Sequence, residues 1–375
     1  MIAGKALRDG CRELVIDARW MSTGVGRYAF NLVRALKACD PSLPLHVLTG
    51  SKDVERLRPY CDRLSAVDVR MYSLREQIAV PRAVRARAVL HATHYNAPLL
   101  HRGPLLVTLP DVTPLLKSAY CASWQSRLCA WPMLRAIALR ADHIFTVSQY
   151  SRERLVERLH IPPERITVAY NGADPEFHPV EPAVAREELR RELGLTAPFL
   201  LYVGNLRPHK NVSRLLRSFA LLRGRGHRDH SLVILGDGRR ARLSLKEDAH
   251  TLGVAECVKF VPAVTQRVMR TLYCAADMLV LPSFEEGFGF PVLEAMACGI
   301  PVACSRVAAL PEVGGDAVMY FDPHSVEDMA GAISRVLDAP DLQKALGRRG
   351  LARATAFTWQ ASARNHCAIY RRFVQ

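Results

Sequence analysis

Several things are scarce or missing in this chain, and each absence removes a class of protein. Its ten cysteines include no C-x-x-C pair and no His/Cys cluster at zinc-ligand spacing, so neither a structural zinc site nor a dithiol redox motif is expected. Scattered cysteines of this kind read as buried thiols in a reducing compartment. No apolar run reaches the roughly 18 residues of a membrane-crossing helix, and the N-terminus lacks a signal-peptide hydrophobic region. A cytoplasmic location is therefore expected, with peripheral attachment to the inner face of the cell membrane compatible with it. There is no internal repeat and no low-complexity tract, which excludes solenoids and fibrous arrays. Acidic residues are also in deficit, 36 against 51 Lys and Arg, for a net charge of +15. The imbalance is spread along the chain, 25 basic to 16 acidic residues in 1–180 and 26 to 20 beyond. Such a surface suits anionic partners: nucleoside diphosphates, acidic lipid or nucleic acid. Nucleic acid fits least, because the basic residues are dispersed and no recognition motif or aromatic RNP-type strand accompanies them.

What is present is an α/β pattern. A chain of 375 residues, 49% hydrophobic and 23% charged, is long for one core and points to two soluble domains. Short β-rich runs alternate with helical stretches. In the first half the expected strands are 14–16, 45–48, 89–90, 105–109, 144–147 and 166–168. In the second they are 199–203, 232–235, 258–260, 278–281, 302–304 and 319–321. This alternation predicts βαβ units and parallel sheets. The pattern restarts after a charged segment flanked by Pro179, Pro182 and Pro198. The expected division is a domain over 1–178, a second over 179–357, and a terminal helix over 358–375 that crosses back to the first. That helix carries Trp359, Tyr370 and Phe373 among Arg364, Arg371 and Arg372. Two doubly wound domains facing across a cleft would each offer a ligand the carboxyl ends of their strands.

The most informative stretch is Glu286-Gly-Phe-Gly-Phe-Pro-Val-Leu-Glu294, directly after the expected strand 278–281. Gly287 and Gly289 let backbone N–H groups approach a ligand closely. Pro291 suits the first turn of a helix, where its missing N–H is harmless, and that helix directs its partly positive end to the same place. Two carboxylates and several N–H donors beyond a strand fit a polyhydroxylated, anionic ligand such as a nucleotide-activated sugar. Earlier in the chain, Arg207 and Lys210 follow the strand 199–203; fixed cations there would stabilise a departing diphosphate. Thr23-Gly-Val-Gly-Arg27 reads as a loop in which Gly24 and Gly26 permit close approach, ahead of a helix from Arg27.

These motifs resemble, in order and over nearly the whole chain, glycosyltransferase family 4, retaining enzymes of GT-B fold that use nucleotide-diphosphate sugars. The resemblance runs through Asp17-Ala-Arg19, Thr23–Tyr28, Thr146-Val-Ser-Gln149, Asn171-Gly172, Tyr202–Asn211, Gly236-Asp-Gly238, Glu286–Glu294 and Pro311–Asp316. It implies that Glu286 lies beside the donor hexose and Glu294 holds the nucleotide ribose. It also implies that backbone N–H groups of Phe288, Gly289 and Phe290 complete the sugar site. Lys210 and Arg207 would face the diphosphate, and Gly24 and Gly26 the diphosphate or acceptor. The family places a His-Asp pair after the strand equivalent to 105–109, whereas this chain reads Leu109-Pro110-Asp111. Pro110 offers neither side-chain donor nor N–H. Asp111 is left to orient the acceptor hydroxyl or to shape the loop, and His94 is a substitute for the missing histidine or a structural residue.

No acidic cluster suited to a catalytic Mg²⁺ stands out, so no cofactor and no essential metal are expected; Asp237 and Asp316 sit in glycine turns. The resemblance implies transfer of a hexose, mannose from GDP-mannose first, to a glycan or polyprenyl-linked acceptor. The segment 120–140, with Trp124, Leu128, Trp131, Leu134, Ile137 and Leu139 among arginines, reads either as an interfacial helix on anionic lipid or as a core helix. Competing expectations are a GT-B epimerase or hydrolase acting on a sugar nucleotide, and a basic membrane- or nucleic-acid-binding protein.

Overall fold

The computed structural model describes residues 12–21, 24–71, 73–111, 124–196 and 198–374. The chain forms two compact units, one from residues up to 172 together with 358–375, the other from 173–357.

In the first unit seven strands make one parallel sheet: β1 (Leu14–Asp17), β2 (Leu45–Thr49), β3 (Arg63–Ala66), β4 (Val89–Ala92), β5 (Leu105–Thr108), β6 (His143–Thr146) and β7 (Ile166–Val168). Their spatial order is β3-β2-β1-β4-β5-β6-β7. Central strands such as Leu-Val-Ile-Asp in β1 are buried at every position, as parallel strands covered on both faces must be. The sequence does not announce β3. Arg-Leu-Ser-Ala is polar and partly exposed because it is an edge, where apolar residues would invite pairing with other chains.

The second sheet has six parallel strands: β8 (Phe199–Val203), β9 (Ser231–Leu235), β10 (Val258–Val261), β11 (Met278–Leu281), β12 (Val302–Ser305) and β13 (Met319–Phe321). Their order, β10-β9-β8-β11-β12-β13, repeats the first six positions of the other sheet. Both are doubly wound, with the order reversing between the first and fourth strands of each.

The boundary expected after 178 lies at 172. Residues 173–178 belong to the second unit: Ala173 N donates to the Phe357 carbonyl (3.1 Å) and the Cys274 thiol to that of His178 (3.4 Å). Phe177 packs edge-on against Tyr273 at 5.7 Å.

The terminal helix Trp359–Val374 lies in the first unit, against the helix Gly24–Cys39. Its inner face builds a polar core. Tyr28 Oη lies 2.8 Å from Thr108 Oγ1 and 3.0 Å from His366 Nε2. His91 bonds Tyr370 Oη through Nδ1 (2.6 Å) and Thr108 Oγ1 through Nε2 (2.8 Å). Phe145 stacks on His366 at 4.2 Å.

Of the segment 120–140, residues 124–140 form a helix whose Leu134 and Ile137 join the core while Trp131 and Leu139 face water. The side chains of Trp124 and Leu128 lie outside the described residues. Among the cysteines, Cys274, Cys298, Cys304 and Cys367 are buried thiols, but Cys39 is exposed and Cys61 and Cys257 half-buried. Among the described residues no helix is long and apolar enough to cross a membrane.

Candidate active site

In the second unit the loops after β8 and β11 meet at the carboxyl edge of adjacent strands. Leaving β8, the chain makes a short 3-10 turn, Pro208–Lys210, then passes through Asn211 at φ +58° into the helix Val212–Gly224. Asparagine is one of the few residues that tolerates this left-handed backbone. Its side chain then fastens the loop, Nδ2 donating to the carbonyls of Pro282 (3.0 Å) and Pro323 (2.9 Å). Phe284 N adds a bond to the His209 carbonyl (2.8 Å).

So tied, Lys210 Nζ lies 2.6 Å from Glu286 Oε1, which also accepts from Ser283 Oγ at 2.8 Å. Both bonds fall on one oxygen. Among the described residues Oε2 of Glu286 makes no hydrogen bond, leaving it to accept from a ligand hydroxyl. The Lys210 and Glu286 side chains are 13% and 10% exposed, enough for a ligand to reach them. Behind them Tyr202 donates to the Asn205 carbonyl (2.8 Å). Burial first, and then the charge of Glu286, push its phenol well above the usual range, so it stays neutral.

Gly289 opens the helix Phe290–Ala297 at φ +103°, and a Cβ there would come 2.7 Å from Leu310 Cδ2. The left-handed backbone is what calls for glycine here, since the leucine methyl ends a side chain that can shift. Phe288 is buried edge-on against Phe290 and Phe357, so only its backbone is available to a ligand. Glu294 is buried within that helix, its Oε2 accepting from Tyr273 Oη at 2.8 Å. Arg207 stands in solvent at the head of the 3-10 turn, its N–H bonded to Asn205 Oδ1 (3.2 Å), with no ion pair among the described residues. Lys210 and Glu286 are brought together by the fold; the exposed Arg207 side chain pairs with neither.

The first unit corrects the glycine-loop expectation. Gly24 through Arg27 are not a loop but the opening turn of the helix Gly24–Cys39. At Gly26 a Cβ would fall 2.3 Å from Met21 Cα and 2.4 Å from the Trp20 carbonyl oxygen. Packing of the helix on the preceding chain is what demands glycine there.

At the carboxyl edge of β1 and β4 sits a polar network that sequence reasoning missed. Arg19 grips Asp17 with Nε and NH2, both at 2.7 Å, and reaches Glu76 Oε1 at 2.6 Å. Asn96 Nδ2 donates to the same Glu76 oxygen (2.7 Å), and Thr93 Oγ1 to the Asp17 carbonyl (2.6 Å). Asp111 is held by Tyr95, whose hydroxyl bonds Oδ1 (2.5 Å) and the Asp111 carbonyl (2.8 Å). Burial lowers His94 to about 4 against the opposing pull of Asp111, so the imidazole is neutral. Among the described residues no group of three or more His, Cys, Asp or Glu side chains is placed to hold a metal ion.

Two doubly wound units, with a lysine–carboxylate pair at the strand-end crevice of the second, define the class. The chain matches the family model for Glycosyltransferase Family 4 over residues 22–177 and that for Glycosyl transferases group 1 over 185–353. It belongs to these glycosyltransferases, and its fold is GT-B. One relative is O-antigen chain mannosyltransferase B of Escherichia coli, 28% identical over 360 residues, 90% of this chain and 93% of that protein. Another is D-inositol 3-phosphate glycosyltransferase of Thermobispora bispora, 34% identical over 243 residues, 61% of this chain but only 56% of that protein. Among solved structures, sucrose-phosphate synthase from Thermosynechococcus elongatus superimposes with a TM-score of 0.77 at 22% identity, covering 96% of this chain and 98% of the other. Anabaena Alr3699/HepE in complex with UDP and glucose gives 0.77 at 17% identity, covering 96% and 99%. At such identities the likeness is one of fold.

Proposed function

We propose that this glycosyltransferase moves a hexose, mannose from GDP-mannose, with retention of configuration, onto a glycan or polyprenyl-linked acceptor in assembly of a cell-surface polysaccharide. The observation that carries the reading is the Lys210–Glu286 pair, with one carboxylate oxygen open. Glu286 Oε2 would accept from sugar hydroxyls, a charge-assisted bond stronger than a neutral one. Lys210, joined by the exposed Arg207, would meet the charge that builds on the departing diphosphate. Backbone N–H groups of Phe288, Gly289 and Phe290 would line the sugar, and Glu294 would take the ribose once Tyr273 yields it. The acceptor oxygen bonds to the anomeric carbon on the face the diphosphate leaves, the bond to the phosphate oxygen breaks, and the acceptor proton passes to the departing phosphate. Asp111 orients that acceptor. In this reading no metal has a role, and turnover persists in a chelator.

Mannose is favoured by the match to the Escherichia coli protein named above, which extends over nearly the full length of both chains. The Anabaena protein holding UDP and glucose is the reason to test the base directly. Melting the protein with GDP, UDP, ADP and their sugars reads the donor, because a ligand of the native state alone raises its stability. The largest rise is expected with GDP and GDP-mannose, and a uridine preference would overturn the donor assignment. Product analysis with and without acceptor separates transfer from epimerisation or hydrolysis; sugar released equally without acceptor would sink the transferase reading.

A further inference from the structure

The first unit carries a face that sugar transfer does not account for. Leu74 and Ile78, four residues apart where the helix Glu76–Ala83 begins, are 88% and 48% exposed. Leu100 and Leu139 are 64% and 70% exposed. Hydrogen bonds join the segments bearing these side chains. Gln77 donates from Nε2 to the Ala97 carbonyl (3.1 Å) and accepts at Oε1 from Leu99 N (2.8 Å). Arg140, next to Leu139, donates to the carbonyls of His101 (2.5 Å) and Gly103 (2.8 Å). Large aliphatic side chains gathered on adjoining backbone and turned to water mark an interaction surface.

The charge around them is mainly positive, for the exposed Asp142 near Leu139 is paired with Arg140 at 3.3 Å. Residues 69–110 contain six arginines and a single acid, Glu76, which is buried against Arg19. Arg75, Arg82, Arg85, Arg87 and Arg102 are exposed, and among the described residues none forms an ion pair. They border the leucines: a Cβ on Gly103 would lie 2.3 Å from the Ala88 carbonyl oxygen, and His101 Nε2 bonds that oxygen at 2.8 Å. The Arg85–Ala88 strip thus runs beside Leu100–Gly103.

We propose that this face docks on an anionic lipid bilayer, its aliphatic side chains entering the headgroup boundary while its arginines bind lipid phosphates. Apolar insertion and attraction to acidic headgroups add to each other at such a surface. A nucleic acid would use the arginines but not the leucines. The proposal stands apart from the donor-site reading, because its test follows vesicles and not turnover.

The full chain is sedimented with phosphatidylcholine vesicles, with and without phosphatidylglycerol. Binding is expected only with phosphatidylglycerol, with release as salt screens the charges. Arg82→Ala with Arg87→Ala should lower the partition coefficient roughly thirtyfold, from the usual contribution per basic residue at a membrane surface. Leu74→Glu with Leu100→Glu should lower it as well, with both variants melting like the parent. Arg348→Ala with Arg349→Ala removes the same charge from exposed positions of the second unit and should leave binding unchanged. Equal loss from both arginine pairs would assign binding to net charge alone, and an inert leucine pair would remove insertion. No sedimentation with acidic vesicles would give the face to an acidic soluble partner. Each of these outcomes overturns the proposal.

Discussion

The Asp17–Arg19–Glu76 triad of the first unit and the Lys210–Glu286 pair of the second occupy equivalent places in two copies of one strand order. Arg19 follows β1 as Lys210 follows β8, and Asn96, which bonds the triad, follows β4 as Glu286 follows β11. Exposure separates them. The Arg19, Asp17 and Glu76 side chains are 1–3% exposed and bonded to one another, whereas Lys210 and Glu286 are 13% and 10% exposed with an oxygen to spare. Removing one member of a sealed ion pair leaves a charge stranded without water; an ajar pair can exchange its partner for a ligand. The same topological position thus serves as a brace in one unit and as a receptor in the other.

That contrast can be broken by mutation. The largest effect is expected from Glu286→Ala, which should lower transfer about a thousandfold, as loss of a group facing transition-state charge does. Nucleotide binding, followed by calorimetry, should survive in part. Wild-type turnover would make the second unit's pair a brace like the first. Next, Arg19→Met should cost the first unit about 3–5 kcal/mol, read by denaturant unfolding. Lys210→Met should cost less, because Glu286 then reaches water; equal losses would erase the distinction.

A third effect comes from acid. His91, His143 and His366 belong to the first unit's core, and burial lowers His143 and His366 to about 4 from 6.5, with His91 also well below. The unfolded chain takes up these protons near pH 6.5, the folded unit only well below that, near 4 for His143 and His366. Their contribution is therefore complete above about 6.5 and is lost as pH falls toward 4. On the order of 3 kcal/mol should disappear for His366 alone. Melting monitored unit by unit should show the first giving way earlier in acid, and parallel decline of both would refute it. The smallest effect is that of Tyr95→Phe, which frees Asp111 from one hydroxyl and should cost about 1 kcal/mol by thermal melting.

Much of this architecture can be read in the letters. Short apolar runs mark twelve of the thirteen strands to within two residues. The thirteenth, β3, is hidden because an edge strand needs no apolar pattern. Glu286 and Lys210, though 76 residues apart, are visible because each stands in a local motif that directly follows a strand. Arg19 and Glu76 are 57 residues apart, and only the folded sheet brings them together. Gly26 misleads for a related reason: a glycine demanded by tight helix packing looks, in sequence, like one demanded by a turn.

The discontinuity of the first unit has a consequence for how the molecule is made. Residues 173–357 form a contiguous stretch, and all of them leave the ribosome before the segment that seals the earlier unit. Until Trp359–Val374 emerges, Tyr28 and His91 await their partners His366 and Tyr370. The half whose synthesis starts first is the last to be finished, and a nascent chain stalled between them would display one completed lobe beside one with an open core.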